Sequence, residues 1–264
     1  MKYFLFLLYF ITFEAISQVD TTYLNICSWN IQNFGKSKSP SEIEYVCQKV
    51  KNFDIIAVQE VSISDWGSKA VSLLDDYLDR TGCDWDYIIS NPTTGSGSER
   101  YAFLFKKHRV KLKKFTLIRD LSISIDREPF LATFEFYGQN YDLYNVHLVP
   151  TAKLPQNEVK FLSQYFKNIQ SKTIIMGDFN LSSNHISFDN LKLKYQTGLI
   201  NQKTSLKMKV SVDGEILNLP YDNFFISKNI KYKNCSVILF FKDFKSLEEA
   251  RKISDHCPIR ISIK

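Results

Sequence analysis

Thr173-Ile174-Ile175-Met176-Gly177-Asp178-Phe179-Asn180 is an apolar run that ends abruptly in an acid and an amide. A run with no polar residue at alternate positions is what a strand buried on both faces requires. Asp54-Ile55-Ile56-Ala57-Val58-Gln59 repeats the pattern and is followed at once by Glu60. Between and around such runs the period changes from two to 3.6. Ser39-Pro40-Ser41-Glu42 places a capping serine three residues before a glutamate, with proline at the first helical position. Ile43, Val46, Cys47 and Val50 then follow i, i+3, i+4, i+7 spacing. A second helix carries Ala70, Val71, Leu74, Tyr77 and Leu78 and stops near Gly82. A third, over 156–169, aligns Val159, Leu162, Phe166 and Ile169. Ile259, Ile261 and Ile263 alternate with polar residues, as a strand with one solvated face does. Strands interleaved with a few helices predict a layered α/β or α+β domain with packed sheets inside.

The chain has 264 residues, 44% hydrophobic and 14% aromatic, enough for one sizeable core and unlike a disordered chain. No repeat, linker or charge block divides it, so residues 18–264 read as a single domain. Residues 1–17 read as a signal peptide: Lys2, the apolar stretch Tyr3–Phe13, then small Ala15 and Ser17 before Gln18. A secreted or periplasmic monomer is therefore expected. The alternative for this segment is a buried N-terminal strand or helix. No apolar run is long enough to span a bilayer, so stable membrane insertion is not expected. The net charge of +6 suits an anionic partner without specifying one. Five scattered cysteines with no CxxC exclude a disulfide scaffold and argue against structural zinc. Cys27 and Cys257 read as small buried hydrophobes within strands.

Polar residues gather where the predicted strands end. They are Asn30 in Trp29–Gly35 (WNIQNFG), Glu60 in Gln59–Val61 (QEV), and His147 in Val146–Leu148 (VHL). The others are Asp178 and Asn180 in GDFN, Asp222 in Tyr221–Asn223 (YDN), and Asp255 and His256 in Ser254–Pro258 (SDHCP). Any one of them alone is an ordinary turn former or satisfied core group. Together at strand ends they read as a site, because loops on a rigid sheet are where catalytic groups collect.

With Glu99–Phe105 (ERYAFLF) and Arg127–Phe130 (REPF) added, these motifs run in one order along nearly the whole chain. In this the sequence resembles the endonuclease/exonuclease/phosphatase superfamily, and within it the deoxyribonuclease I-like branch. The resemblance implies a four-layered α/β sandwich, two packed mixed β-sheets flanked by helices, with the site at one end. It implies phosphodiester hydrolysis in DNA by two histidines, His147 and His256, oriented by Glu99 and Asp222. A carboxylate behind a histidine fixes its tautomer and stabilises the imidazolium. Which histidine is base and which acid stays open, as does activation of the water by Asp178. Glu60, Asn30 and Asp255 would hold a divalent cation through hard oxygen ligands, magnesium first, manganese or calcium otherwise. Asn180 and the Arg127 fork would contact the phosphate.

The chain departs from that branch in two places. Ser62 stands where the branch carries a groove-inserting arginine, and Gly97 where it carries a sugar-stacking tyrosine. These changes predict weak groove reading and steeply salt-dependent binding. A flexible Gly95–Ser98 loop is expected to admit single strands. Lys36, Lys38, Lys106, Lys107, His108 and Arg109 are candidate phosphate contacts in compensation. Two other function classes remain open at this level. One is a lipid or inositol-phosphate phosphoesterase, for which Val237–Phe241 is a candidate membrane-touching element and otherwise a core strand. The other is a non-catalytic binding protein on the same fold, which would have no need of so many retained polar groups.

Overall fold

Side-chain alternation along β1 (Leu24–Phe34) sets the layers. Leu24 and Ile26 point to one face, and Cys27, Trp29 and Ile31 to the other, as the period of two requires. The structure, a computed structural model, describes residues 22–264; the expected leader, 1–17, lies outside the described residues.

β1 pairs in parallel with β2 (Ile55–Val61) across helix α1 (Pro40–Val50), and antiparallel with β12 (Ile259–Ile263). With β3 (Trp85–Ile89), β4 (Arg100–Lys106) and β11 (Tyr232–Val237) they form a six-stranded sheet ordered β11-β12-β1-β2-β4-β3. The second six-stranded sheet contains β5 (Lys111–Leu117), β6 (Phe130–Phe136), β7 (Gln139–His147), β8 (Lys172–Asp178), β9 (Tyr195–Thr197) and β10 (Asp222–Ser227). Its order is β5-β6-β7-β8-β10-β9. Its central pair, β7 and β8, is again parallel, joined across α3 (Pro155–Lys167). With α2 (Asp65–Asp79) and α4 (Asp189–Lys192) included, β1-α1-β2-α2-β3-β4 is matched element for element by β7-α3-β8-α4-β9-β10. Two mixed sheets thus carry the same topology.

Three apolar clusters fill the layers. One lies between the sheets and includes Phe103, Phe130, Phe134, Met176, Phe224 and Ile261. A second joins the first sheet to α1, α2 and α5 (Leu247–Ile253), and a third joins the second sheet to α3. The result is the expected helix–sheet–sheet–helix sandwich. The Ser39 cap forms as read: Glu42 N donates to Ser39 Oγ at 3.3 Å and Ser39 N to Glu42 Oε2 at 2.7 Å. Such a cap stabilises a helix by about 1 kcal/mol.

Two readings shift. In β12 only Arg260 is exposed; Ser262 is buried beside its cross-strand partner Asn25 of β1 and donates to Asn25 Oδ1 at 2.7 Å. Val237 closes β11, but the run behind it turns into a 3₁₀ segment from Phe240. Phe240 is buried against Trp29, ring centres 5.3 Å apart, while Val237, Ile238, Leu239 and Phe241 are half-buried, so the segment is neither a core strand throughout nor fully exposed. The five cysteines are free thiols, and Cys257 sits just before β12, not inside it.

Candidate active site

Both parallel pairs run toward one end of the sandwich. There β1, β2, β7 and β8 finish while their antiparallel neighbours β4 and β10 begin. That polarity brings Asn30, Glu60, His147 and Asp178 to the same end as Glu99 and Asp222. Arg127 and His256 arrive by equivalent routes, each three residues before a strand that follows a proline, β6 and β12. A cavity of about 720 Å³ opens here, lined by Glu60, Glu99, Arg127, His147, Asp178, Asn180, Asp255 and His256 among others.

The two histidines are mirror constructions. His147 Nδ1 lies 2.9 and 3.1 Å from the Glu99 oxygens, and His256 Nδ1 lies 2.7 Å from Asp222 Oδ2. Each Nε2 then faces the same atom: Asp178 Oδ2 is 3.4 Å from His147 and 3.5 Å from His256. Burial alone would push both rings below the ordinary imidazole range. Glu99 outweighs it at His147, and Asp222 with Asp178 at His256, so both are held above that range. Asp178, although buried, is kept in the charged form by His256, His147, the Asn180 amide and Asn30. Asn180 N donates to Asp178 Oδ1 at 2.8 Å.

Arg127 and Asn180 reach the cavity wall with part of their donor capacity committed. Arg127 Nε donates to His147 O at 2.9 Å and Nη2 to Leu148 O, while Nη1 stands 3.7 Å from Glu99 Oε2. Asn180 Nδ2 donates to Leu148 O at 3.0 Å. These contacts fix the chain just after His147.

Of the groups read as metal ligands, Glu60 and Asp255 line the cavity and Asn30 is buried. Asn30 Nδ2 donates to Glu60 Oε1 at 2.9 Å and to Asp178 Oδ2 at 3.1 Å, which leaves its buried Oδ1 with no hydrogen-bond partner. Leaving a buried acceptor unmet costs about 1–3 kcal/mol. Glu60 adopts a left-handed φ of 61°, and its Oε2 accepts from Asn33 N at 2.8 Å. A non-glycine residue held there costs of order 1–2 kcal/mol, and such strain gathers at functional sites. Asp255 lines the same cavity, with Arg251 Nη2 3.5 Å from its carboxylate. An unmet oxygen beside carboxylates fits a hard divalent cation. Asp178, Asp222 and His256 also bring ligand atoms within 4.8 Å of one another. His256 Nδ1 is already bonded to Asp222, so that trio reads as a proton relay.

Two compensating expectations are corrected. The basic run 106–109 sits at the far end of β4 from Glu99, about 20 Å away at strand rise. Lys107 there makes a surface ion pair with Asp84 at 2.7 Å, and Arg109 is held on buried Asp54 at 3.0 Å as a structural group. Lys38 does stand near the site, with Glu60 and Asp255 in its field. The Gly95–Ser98 loop is tied down. Asp126 accepts from Ser96 N at 2.8 Å and Gly97 N at 2.9 Å, and its carbonyl from Gly95 N at 2.9 Å. A Cβ on Gly97 would come 2.8 Å from Asp126 Oδ2 and 3.0 Å from Arg127 Nη1, so no tyrosine fits there without displacing Arg127.

Several supporting residues escape a strand-end reading. Glu158 of α3 is buried; its oxygens accept from Asp126 N at 2.7 Å and Val149 N at 2.8 Å, tying together the segments that carry Arg127 and His147. Its signal was a charge four residues before Leu162, on the apolar stripe. Tyr221 stacks on His256 with centres 6.4 Å apart, and Thr204 Oγ1 accepts from Asp222 N at 2.9 Å. Thr204 gives no signal in its own sequence context.

A two-sheet sandwich with paired histidine–carboxylate groups converging on one aspartate is a hydrolase-like architecture with a single polar centre. The chain belongs to the Endonuclease/Exonuclease/phosphatase family, whose model matches residues 27–256. It is 26% identical to human deoxyribonuclease gamma over 269 residues, covering 91% of this chain and 86% of that one. It is 27% identical to pig deoxyribonuclease-1-like 1 over 259 residues, covering 90% and 80%. Among solved structures, an endonuclease/exonuclease/phosphatase family protein from Leptotrichia buccalis C-1013-b superposes with TM-score 0.66 at 19% identity, covering 91% of this chain and 99% of that one. D. rerio TDP2 complexed with single strand DNA product gives 0.67 at 19%, covering 92% and 99%.

Proposed function

We propose that this chain is a divalent-metal-dependent endonuclease that hydrolyses phosphodiester bonds in DNA, exported after removal of residues 1–17. The observation that carries the reading is the convergence of two carboxylate-backed histidines on Asp178 Oδ2. The relatives named as deoxyribonucleases support DNA as the substrate.

Hydrolysis needs one proton removed from water and one delivered to the leaving oxygen. Because carboxylates engage both Nδ1 atoms, both Nε2 atoms face the cavity and serve the transfers. The Arg127 guanidinium, 3.7 Å from Glu99, weakens that carboxylate's hold on the His147 proton. This suits His147 to accept the water proton and His256, between Asp222 and Asp178, to donate to the leaving oxygen. Asp178 lies between the rings and returns the proton from His147 to His256 after each turnover. Arg127 Nη1 and the Asn180 amide face the scissile phosphate. Asn30, Glu60 and Asp255 would hold the cation; when bound it polarises a phosphoryl oxygen and offsets developing charge.

The test is incubation of purified protein with supercoiled plasmid, linear duplex, single strand, RNA and sphingomyelin, with and without chelator. Plasmid nicking abolished by chelator is the expected result. Nicking undiminished in excess chelator would remove the metal, and hydrolysis of sphingomyelin alone would replace the substrate. N-terminal sequencing of exported protein should return Gln18; Met1 would refute the leader.

A further inference from the structure

The cavity wall holds serines at 37, 62, 96 and 98, a glycine at 97 and a proline at 150, and its aromatic rings are the two histidines already held by Glu99 and Asp222. A nucleotide whose phosphate enters the cavity therefore finds no tryptophan, tyrosine or phenylalanine in its lining for the base, and the nearby Tyr221 is stacked on His256. The rim beside Ser62 differs. Ile63 is 49% exposed and Trp66 is 50% exposed. This rim is fastened to catalytic elements at two points. A Cβ on Gly67 would lie 2.0 Å from Ser62 O, so the start of α2 lies flush against the turn that lines the cavity, a closeness only glycine permits. Arg100, next to Glu99, donates from Nη2 to Ile63 O at 3.3 Å. Lys69 Nζ stands 5.0 Å from the centre of the Trp66 ring.

Resting on the nuclease reading, we propose that Trp66, with Lys69 beside it, is the stacking platform for the nucleotide flanking the cleaved phosphodiester. An indole face stacks any base, and a neighbouring ammonium meets the backbone phosphate; that combination binds strands without reading their sequence. It gives this chain a substrate contact of its own where Ser62 and Gly97 are too small to supply one. A platform of this kind favours splayed or single strands, whose bases offer a free face, over regular duplex.

The tryptophans make the test selective. Trp29 and Trp85 are 0% and 2% exposed, so iodide quenching of the native protein reports on Trp66. A single-stranded oligothymidylate with phosphorothioate linkages should shield Trp66 from iodide. Trp66→Ala should raise KM for single-stranded DNA roughly tenfold or more with kcat little changed, and Trp66→Phe should recover most of it. A wild type that cleaves plasmid while Trp66→Ala keeps the wild-type KM overturns the platform alone. Shielding by anionic lipid vesicles and not by the oligonucleotide would identify a membrane contact and also overturn it. A wild type that cleaves no nucleic acid overturns the nuclease reading and the platform with it.

Discussion

Asp178 Oδ2 is the atom on which this site turns, because two imidazoles and the Asn30 amide converge on it. Replacing either His147 or His256 by alanine should lower turnover by roughly 10²–10⁴-fold in a protein that still folds. Near wild-type activity in either variant would refute its proton-transfer role. A nitrophenyl diester, whose leaving group needs no proton, should spare His256→Ala far more than His147→Ala. The ionisation of His147 provides a separate check. Burial opposes its charge, Glu99 overrides burial, and the ring is held above the ordinary value. A raised folded value means that the pair stabilises the fold fully below about pH 6.5, and that this contribution fades as pH rises through the folded value. The stability lost in Glu99→Gln should accordingly be largest near pH 6 and shrink at alkaline pH. An NMR titration should show the His147 midpoint falling in that variant; an unmoved midpoint would exclude Glu99 as the cause.

Elements place those residues, and helix α3 does so through one buried side chain. Glu158 accepts from the amides of Asp126 and Val149, so Glu158→Ala strands two buried donors. Each costs about 1–3 kcal/mol when unmet, and urea unfolding should show a loss of about 2–5 kcal/mol. Activity should fall as well, because Arg127 and His147 lose their common tether. The 94–98 loop depends on Asp126 in the same way. A Cβ at Gly95 would lie 2.0 Å from Asp126 O, so Gly95→Ala must push the loop off its carboxylate. Its expected signature is a fall in kcat with greater proteolytic nicking at the loop; unchanged nicking would mean the loop is held elsewhere.

At the scale of the whole molecule, the site exists because two sheets of the same topology pack face to face with their strand ends together. Their polar join is buried: Gln59 of β2 donates to Asn145 of β7, and Asn145 Nδ2 returns a bond to Val58 O at 3.0 Å. Asn145→Ala removes one of two acceptors from Gln59, whose Nε2 also donates to Ser28 Oγ at 3.1 Å, and a loss of roughly 1–3 kcal/mol in denaturant is expected. Because Glu60 and His147 sit on different sheets, turnover should fall even where the variant remains folded. Full activity at normal stability would show that the apolar cluster alone holds the sheets in register.

Much of this was legible in order along the chain. Period-two and period-3.6 patterns marked Ile55–Val61, Lys172–Asp178 and the capped helix at Ser39, because burial acts on each side chain locally. Polar residues at strand ends marked Glu60, His147, Asp178, Asp222 and His256, because an apolar strand has no other use for them. What local pattern does not contain is distance. That Lys107 and Arg109 are paired with Asp84 and Asp54 follows from which segments meet at the far end of β4, which no spacing of residues reports. That Asp126 pins the glycine loop, that Thr204 caps Asp222, and that Asn30 is left with one unmet oxygen depend on contacts between segments remote in sequence. The amino-acid sequence by itself determined which groups are available for chemistry. The tertiary structure decided which of them face one cavity, because only the packing of the two sheets brings their strand ends together.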